Sequence, residues 1–316
     1  MKTKILTSNQ LHKAAKLLHQ GQLVAIPTET VYGLAALISS ESAISSIFAV
    51  KKRPSDNPLI VHIANLNQLN QIALPPPKIF FQLAEAFFPG PLTMIIPRHR
   101  DLSPLISAGL DSVAIRMPAH PITMNLMQML DDPIVAPSAN LSGRPSATDM
   151  QHVLEDFDQK ISAVIDGGKA TFGVESTVIS LLSSSPVILR PGSITKQEIE
   201  KVLGRNIDVQ TSLQKGPVYS PGMKYRHYAP CIPVKLFYER KQIASYCKKT
   251  DSSRRMLLST SSFFAENCDH YKLSTQDLYS CFRYAEKRGY SEVLIFCDPI
   301  TQSNLALMNR LTKASN

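Results

Sequence analysis

The chain has 316 residues, a hydrophobic fraction of 44% and a net charge of +9, from 34 Lys and Arg against 25 Asp and Glu. A chain of this length and apolar content is long enough for two packed domains. Its apolar runs are shorter than the about 18 residues of a membrane-spanning helix, and its first residues lack the apolar core of a secretory signal. We therefore expect a cytoplasmic protein without membrane attachment.

The positive charge is concentrated in the last third of the chain. Residues 1–205 contain 18 Lys and Arg against 16 Asp and Glu, whereas residues 206–316 contain 16 against 9. The resulting charge of +7 in the last third would suit an RNA or an acidic partner, but it would equally serve solubility alone.

All five cysteines also lie in the last third, at Cys231, Cys247, Cys268, Cys281 and Cys297. None belongs to a C-x-x-C pair, so neither a zinc site nor a disulfide framework is indicated in a cytosolic chain. We expect reduced and mostly buried thiols.

Signals for strands and helices alternate through residues 1–205. Short apolar runs predict strands at residues 23–26, 59–63, 93–97, 113–117, 134–137, 163–166 and 178–182. Apolar residues at helical spacing predict helices at 8–21, 43–50, 78–88, 121–130 and 149–155, and a Thr195–Glu198 capping box opens another that ends at Leu203. This alternation predicts an α/β domain with one sheet. Two strand pairs have connections too short for a crossover helix, so we expect the sheet to be mixed.

Residues 206–231 interrupt this pattern. They are polar and rich in turn residues, and they end in SPGMKYRHYAP at 220–230. Beyond them, strands are predicted at 234–238, 256–259 and 293–296, and helices at 278–288 and 305–313. We therefore predict three parts: a first domain at 1–205, a linker at 206–231 and a small α/β domain at 232–316.

Several common phosphate-binding and catalytic motifs are absent from the sequence, namely G-x-x-x-x-G-K-[ST], G-x-G-x-x-G, H-E-x-x-H and G-x-S-x-G. Phosphate groups would therefore have to be held by side chains and by loops of small residues. Lys51 and Arg53 can neutralise phosphate charge, although cations at the end of the 43–50 helix also complement its dipole. Ser138 and Asn140 follow the 134–137 strand, where they can donate to phosphate or ribose oxygens.

Two titratable residues lie on apolar strands. Arg116 near the end of the 113–117 strand needs an anion, which is either a substrate carboxylate or an acidic residue in a structural salt bridge. His62 lies near the end of the 59–63 strand, where a histidine is either a ligand contact or a satisfied core residue. Both alternatives stay open for each residue.

Six segments occur in order between residues 27 and 179, namely PTETVYGLA, KKRPSDNPLIVH, FPGPLTMII, VAIRMPAH, APSANLSG and VESTVI. Together they closely resemble the YrdC-like family. The 220–230 segment and LALMNRLTKAS at 305–315 resemble the longer, two-domain form of that family, the threonylcarbamoyl-AMP synthases. The resemblance implies a YrdC-like mixed, twisted sheet with flanking helices, joined by the linker to a small Rossmann-like α/β domain.

The same resemblance implies an activity. Members of the family are nucleotidyltransferases that form threonylcarbamoyl-AMP, pyrophosphate and water from L-threonine, bicarbonate and ATP. Their product serves the threonylcarbamoyl-adenosine modification of tRNA through a downstream tRNA threonylcarbamoyl-transferase machinery. Mg²⁺ is implied on the ATP phosphates, and no metal site made by the protein is implied.

The matching motifs also imply site residues. Lys51 and Arg53 correspond to the family's K-x-R element and are expected to be catalytic. The expected threonine-binding residues are Thr30, His62, Arg116, Ala136 and Ser176. The expected ATP-binding residues are Arg53, Asn57, Ser112, Ser138, Asn140, Ser146, Arg190 and Tyr225, with Tyr219 and Tyr228 as competing choices for the linker tyrosine.

The segment SPGMKYRHYAP is predicted to close over bound ATP as a lid. A lid would protect the carbamate of threonine, which loses CO₂ readily in water. The alternative is a linker that is pinned to the surface for interdomain packing.

Two other functions stay open at this point. One is a non-catalytic double-stranded RNA-binding module, and weak RNA binding is expected of the basic last third in any case. The other is a carbamoyltransferase that uses a different donor such as carbamoyl phosphate. Threonine-dependent release of pyrophosphate separates both alternatives from a synthase.

Overall fold

The structure is a computed structural model that describes residues 2–210, 227–249, 254–263 and 265–315. Its contacts divide the chain into two units, residues 1–142 with 147–224 and residues 143–146 with 225–316. Within the described ranges, no helix is long and apolar enough to cross a membrane. The predicted lid lies mostly outside the described residues, as do Tyr219 and Tyr225, so the lid and the domain limits at 205 and 231 stay predictions.

The first unit is built around one sheet flanked by helices. Its strands are β1 (Lys4–Leu6), β2 (Val24–Ile26), β3 (Gly33–Leu37), β4 (Ile60–His62), β5 (Leu92–Pro97), β6 (Ser112–Arg116), β7 (Ile134–Val135), β8 (Ala163–Ile165), β9 (Thr177–Ser180), β10 (Val187–Arg190) and β11 (Asp208–Val209). Its helices are α1 (Leu11–His19), α2 (Glu41–Lys51), α3 (Lys78–Phe87), α4 (Pro104–Ser107), α5 (Pro121–Gln128), α6 (Met150–Phe157) and α7 (Lys196–Leu203). Short 3-10 turns occupy Ser8–Gln10 and Leu66–Gln71.

The sheet is mixed, which confirms the prediction. Its strand order is β1-β8-β2-β3-β7-β4-β6-β5-β9-β10-β11. Antiparallel pairs such as β5–β6 and β9–β10 occur beside parallel pairs such as β4–β6 and β5–β9. Each predicted strand of this part is present. The structure adds the short β1, β10 and β11, and β3, whose GLAAL sequence has too many small residues to be typical of a strand.

The two faces of the sheet differ because side chains alternate along each strand. The face that packs against helices such as α2 and α3 contributes apolar residues to the main core. The opposite face carries a large apolar cluster under α1 and α5, which includes Val24, Ala35 and Ile134. Farther along the sheet the same face carries a smaller apolar cluster of Ile60, Ile95, Ala114 and Val178. On the same strands, polar side chains lie two residues before or after the members of this smaller cluster and therefore on the same face. We call this surface the polar face. Its polar members are His62, Thr93, Ser112, Arg116 and Ser176.

Helix α2 spans residues 41–51, so it begins two residues earlier and ends one residue later than the predicted 43–50. Ser40 caps its start by accepting a hydrogen bond from the Ala43 N–H at 3.3 Å. The helix ends at Lys51, and Lys52 adopts a left-handed conformation with φ of 50°. The prediction of cations at the end of this helix is therefore confirmed. The capping box of α7 is confirmed as well.

The second unit contains a four-stranded parallel sheet. Its strands are β12 (Val234–Phe237), β13 (Arg255–Ser259), β14 (Cys268–Lys272) and β15 (Glu292–Phe296), and its helices are α8 (Arg240–Lys249), α9 (Leu278–Lys287), α10 (Pro299–Ser303) and α11 (Leu305–Ser315). The order is β12-β15-β13-β14 with every pair parallel, which agrees with a small Rossmann-like domain. Sequence patterns did not predict β14, a polar edge strand, or α8, in which only Ile243 and Cys247 are buried.

The cysteines correct one expectation. All five are free thiols, as predicted, but only Cys247 and Cys297 are buried. Cys268 and Cys281 are half-buried, and Cys231 is exposed. The prediction of mostly buried thiols is wrong because a unit this small has few interior positions, and Cys268 lies on its edge strand.

A buried ion pair joins two strands of the second sheet. Arg255 on β13 donates through Nε to Glu292 on β15 at 2.8 Å, and the two side chains are 0% and 8% exposed. The other carboxylate oxygen of Glu292 accepts a hydrogen bond from the Tyr246 hydroxyl at 2.9 Å. Because a buried charge is very unfavourable once its partner is removed, this pair should contribute strongly to the stability of the sheet.

We predict that Glu292→Gln destabilises the second unit by about 3 kcal/mol, because the buried Arg255 guanidinium loses its counter-charge. Hydrogen exchange of the β13 amides in the full chain measures the loss. Glu239→Gln removes only the exposed partner of Lys241 and serves as the control, with no change in exchange expected. Wild-type exchange rates in Glu292→Gln would contradict the assignment.

Candidate active site

A buried guanidinium lies at the end of β6. Arg116 is 4% exposed and makes three hydrogen bonds, from Nη2 to the Glu29 carboxylate at 2.6 Å, from Nη1 to the Thr30 hydroxyl at 2.9 Å and from Nε to the Gly90 carbonyl at 3.3 Å. The structure therefore contains a salt bridge between Arg116 and an acidic residue, one of the two alternatives between which the sequence did not decide. These bonds use three of the five N–H groups of an arginine, so contact with a substrate carboxylate stays a prediction.

Glu29 is a residue that the sequence analysis missed. It lies in the turn between β2 and β3, which Thr28 organises by accepting the Thr30 and Val31 N–H groups at 3.2 and 3.3 Å. The Thr28 hydroxyl also lies 2.8 Å from that of Thr30. The sequence signal for Glu29 was its place as the single acidic residue of PTETVYGLA, next to Thr30, which was already predicted to bind threonine. Its partner could be identified only from the way in which the turn and β6 meet.

His62 lies beside Arg116 on the neighbouring strand, since the two residues are paired in the β4–β6 register. It is 2% exposed, and its Nδ1 lies 3.2 Å from the Ile60 carbonyl oxygen. Burial, with the nearby Arg116 charge, lowers the pKa of His62 to about 3. The imidazole is therefore neutral at physiological pH and can offer a hydrogen bond without a charge.

A second group of residues lies at the start of β9. The Ser176 hydroxyl is 2.7 Å from that of Thr93, and Arg190 donates from Nη2 to Ser176 Oγ and from Nε to the Ser176 carbonyl, both at 3.1 Å. Gly192 lets the chain after Arg190 lie directly against the backbone at the start of β9, because a Cβ there would lie 2.3 Å from the Thr177 nitrogen. The structure thus brings together Ser176, expected for threonine, and Arg190, expected for ATP. Thr93 is a further polar contact that the sequence analysis missed.

Lys51 supports the loop after β7. The residue is 1% exposed, and its ammonium donates to the backbone carbonyls of Ser138 and Asn140, each at 2.5 Å. The Ser142 N–H in turn donates to the Lys51 carbonyl at 2.9 Å. Burial, with the nearby Arg53 charge, lowers the pKa of Lys51 well below its ordinary value. These contacts connect the end of α2 to the loop of the S-x-N element.

Arg53 and Asn57 form a local pair after α2. Arg53 is half-buried and donates to the carbonyls of Asn57 and Pro58 at 3.2 and 2.8 Å. The Oδ1 atom of Asn57 is buried and has no hydrogen-bond partner among the described residues. Both features are compatible with a polar ligand in this region.

The remaining expected residues are placed as follows. Ser112 is buried at the start of β6 on the polar face, and Ala136 is buried just after β7. Ser146 is buried and is grouped with the second unit. Tyr225 lies outside the described residues. The competing Tyr228 is buried and stacks on Tyr279 at 5.6 Å between ring centroids. The structure therefore brings together Thr30, His62 and Arg116, and separately Ser176 with Arg190.

Comparisons with known proteins match both parts of the chain. Residues 16–192 match the Sua5, YciO and YrdC family model, described as Telomere recombination, and residues 194–316 match the model described as Threonylcarbamoyl-AMP synthase, C-terminal domain. The Threonylcarbamoyl-AMP synthase of Bacillus subtilis is 43% identical, over 97% of this chain and 93% of its own length. That of Pyrococcus abyssi is 42% identical, over 96% and 93%.

A solved structure of a relative matches almost the whole chain. The crystal structure of P. abyssi Sua5 complexed with L-threonine has a TM-score of 0.91 and 39% identity, and the match covers 99% of this chain and 98% of that one. Together, the two family models and the full-length relatives show that the chain belongs to the threonylcarbamoyl-AMP synthase family, in the two-domain form of the YrdC-like proteins.

Proposed function

We propose that this chain is a nucleotidyltransferase that forms threonylcarbamoyl-AMP, pyrophosphate and water from L-threonine, bicarbonate and ATP. The observation that carries the proposal is the polar face, where Arg116 and its Thr30 and Glu29 partners lie beside a neutral His62. The full-length relatives bear the name of this activity, and the P. abyssi relative was crystallised with L-threonine.

The threonine subsite is proposed around Arg116. One N–H on each Nη is outside the three bonds described above, and such a fork can hold a carboxylate through parallel hydrogen bonds. Each hydrogen bond to a charged group contributes about 1.5–3 kcal/mol, which is enough to orient the amino acid. The other proposed contacts are Thr30, His62, Ala136 and Ser176.

The ATP subsite is proposed around Arg53 and Arg190. Arg53 is proposed to be catalytic, because its guanidinium can stabilise the charge that develops on the phosphates in the transition state. Lys51 was expected to be catalytic too, but its bonds to two carbonyls favour a positioning role for the loop of Ser138. The other proposed ATP contacts are Asn57, Ser112, Ser138, Asn140, Ser146 and Tyr225.

The proposed reaction needs alignment more than a nucleophilic side chain. Bicarbonate first takes up a proton and loses water to give CO₂. The threonine ammonium loses a proton, and the resulting amine adds to CO₂ and releases a second proton, which leaves a carbamate. A carbamate oxygen then attacks the α-phosphorus of ATP, and the bond from that phosphorus to the pyrophosphate oxygen breaks. Alignment of two bound reactants can lower the barrier by about 7–11 kcal/mol, so fixed positions for the carboxylate and the phosphates are the main requirement.

Mg²⁺ is proposed to enter with ATP. In the part of the chain that the structure describes, no three His, Cys, Asp or Glu side chains are grouped to hold a metal ion. Mg²⁺ binds substrate phosphates readily and keeps several of its waters, so the nucleotide can hold it without a protein cage. When bound, the ion would offset phosphate charge, and none of the residue roles above depends on a protein ligand to it.

We also propose that the product passes to a tRNA threonylcarbamoyl-transferase machinery and that the protein acts in the cytoplasm. A mixed anhydride of a carbamate and a phosphate is short-lived in water, which favours prompt use. No observation on the described residues favours the RNA-binding module or the carbamoyltransferase over the synthase.

The decisive assay for the activity measures pyrophosphate release by the full chain. We expect release only when ATP, L-threonine and bicarbonate are all present, because the nucleophile is the carbamate that the last two form. Release from ATP at the same rate without threonine, or with carbamoyl phosphate in its place, would refute the proposed function.

Arg53→Ala is expected to lower the rate of pyrophosphate release by about 100-fold or more, because it removes charge stabilisation at the phosphates. Arg100→Ala removes an arginine whose side chain is 90% exposed and should retain the wild-type rate. Thermal unfolding of both variants checks that the fold is intact. A folded Arg53→Ala variant with near-normal turnover would remove Arg53 from the site.

The depressed pKa of His62 predicts a pH dependence of stability. Between about pH 6.5 and pH 3, the unfolded chain binds a proton that the folded chain does not, so the free energy of unfolding falls as pH decreases through this window. From pH 7 to pH 5 the loss due to His62 is about 2 kcal/mol. Urea unfolding of His62→Gln should lack this part of the loss, whereas His12→Gln, at an exposed position, should retain it. Parallel pH profiles for His62→Gln and the wild type would contradict the assigned pKa.

A further inference from the structure

We propose that Glu29 binds the α-ammonium group of the amino-acid substrate, so that Glu29 and Arg116 together recognise a zwitterion. This inference rests on the proposed function, in which L-threonine is the substrate. It adds a substrate-binding residue that the motif match does not include.

The two carboxylate oxygens of Glu29 have different surroundings. Oε1 accepts the hydrogen bond from Arg116 Nη2 at 2.6 Å. Oε2 is buried and has no hydrogen-bond partner among the residues that the structure describes. The residue is only 7% exposed, so bulk water does not satisfy this oxygen. Buried polar atoms in native proteins nearly always have a partner, and a donor from a bound ligand would supply one here.

The balance of charge indicates that this donor is cationic. Arg116 and Glu29 together carry no net charge, and the neighbouring His62 is neutral. Burial also lowers the pKa of His120, the other histidine that interacts with the Glu29 charge. A free amino acid near neutral pH also carries one carboxylate and one ammonium. With the substrate carboxylate on the Arg116 fork and its ammonium on Oε2, every buried charge has an opposite neighbour, which a buried site requires. A ligand with a carboxylate alone would leave Glu29 without a new partner and add a second anion beside it.

The geometry of the pair fits the geometry of an α-amino acid. The two oxygens of Glu29 are bonded to one carbon, so Oε2 lies close to the guanidinium that Oε1 binds. The carboxylate and the ammonium of the substrate are likewise attached through a single carbon. A ligand that binds the open Nη hydrogens therefore has its amino group within reach of Oε2. The consequence is selection of amino acids over hydroxy acids and simple carboxylic acids.

Ligand analogues separate this contact from a purely structural role of Glu29. Calorimetry on the full chain compares L-threonine with 3-hydroxybutyrate, which has the same carbon chain and hydroxyl but no amino group. We expect the wild-type protein to bind threonine about 30-fold more tightly or better, as for a lost hydrogen bond to a charged group. In Glu29→Gln this ratio should fall to about 3 or less, because an amide binds an ammonium weakly.

A purely structural Glu29 gives a different result. It would weaken both ligands equally in Glu29→Gln and leave the ratio at its wild-type value, which would overturn the proposal. Glu41→Gln makes the same change at an exposed residue of α2 and should keep the wild-type ratio. If Glu29→Gln does not fold, Glu29→Asp replaces it, since the shorter carboxylate should lower the ratio at least about threefold, and an unchanged ratio overturns the proposal.

The same measurements distinguish a failure of the inference from a failure of the proposed function. If the wild-type protein neither binds threonine nor releases pyrophosphate in a threonine-dependent reaction, the proposed function itself fails. If the wild-type protein binds threonine and is active, but binds 3-hydroxybutyrate equally well, only the role of Glu29 fails.

Discussion

The buried pair of Arg116 and Glu29 is the interaction on which the rest of the candidate site depends. Taking two ions out of water costs several kcal/mol for each, and only close contact with further hydrogen bonds offsets that cost. The 2.6 Å contact joins residues that are 87 positions apart in the sequence, and bonds from Arg116 to Thr30 and Gly90 complete it. The turn after β2, the end of β6 and the segment before β5 therefore meet at the Arg116 guanidinium.

Hydrogen bonds from buried cationic side chains also hold the other parts of the candidate site in place. Alternation along the strands places an apolar cluster in the middle of the polar face, with polar side chains around it. Lys51 uses its buried ammonium to hold the loop of Ser138, and Arg190 holds the backbone of Ser176. A reaction that works by alignment needs such supports, because a small displacement of either reactant would lose much of the gain from proximity.

The sequence predicted the α/β class, the mixed sheet and most strands because their apolar runs are long enough to stand out. It missed β3 because GLAAL lacks β-branched and aromatic residues, and β14 because a polar edge strand has no apolar run. Motif matches predicted Arg116 and His62 as site residues, and their strand register places them side by side. Glu29 and Thr93 could not be identified in this way, because their roles depend on partners that are distant in the sequence.

The proposed role of the buried Arg116–Glu29 pair is to bind a zwitterionic amino acid. A crystal structure of this chain with L-threonine tests it most directly. We expect the threonine nitrogen about 2.7–3.2 Å from Glu29 Oε2 and the threonine carboxylate on the Nη atoms of Arg116. A threonine whose nitrogen points away from Glu29, with an ordered water on Oε2 instead, would contradict it.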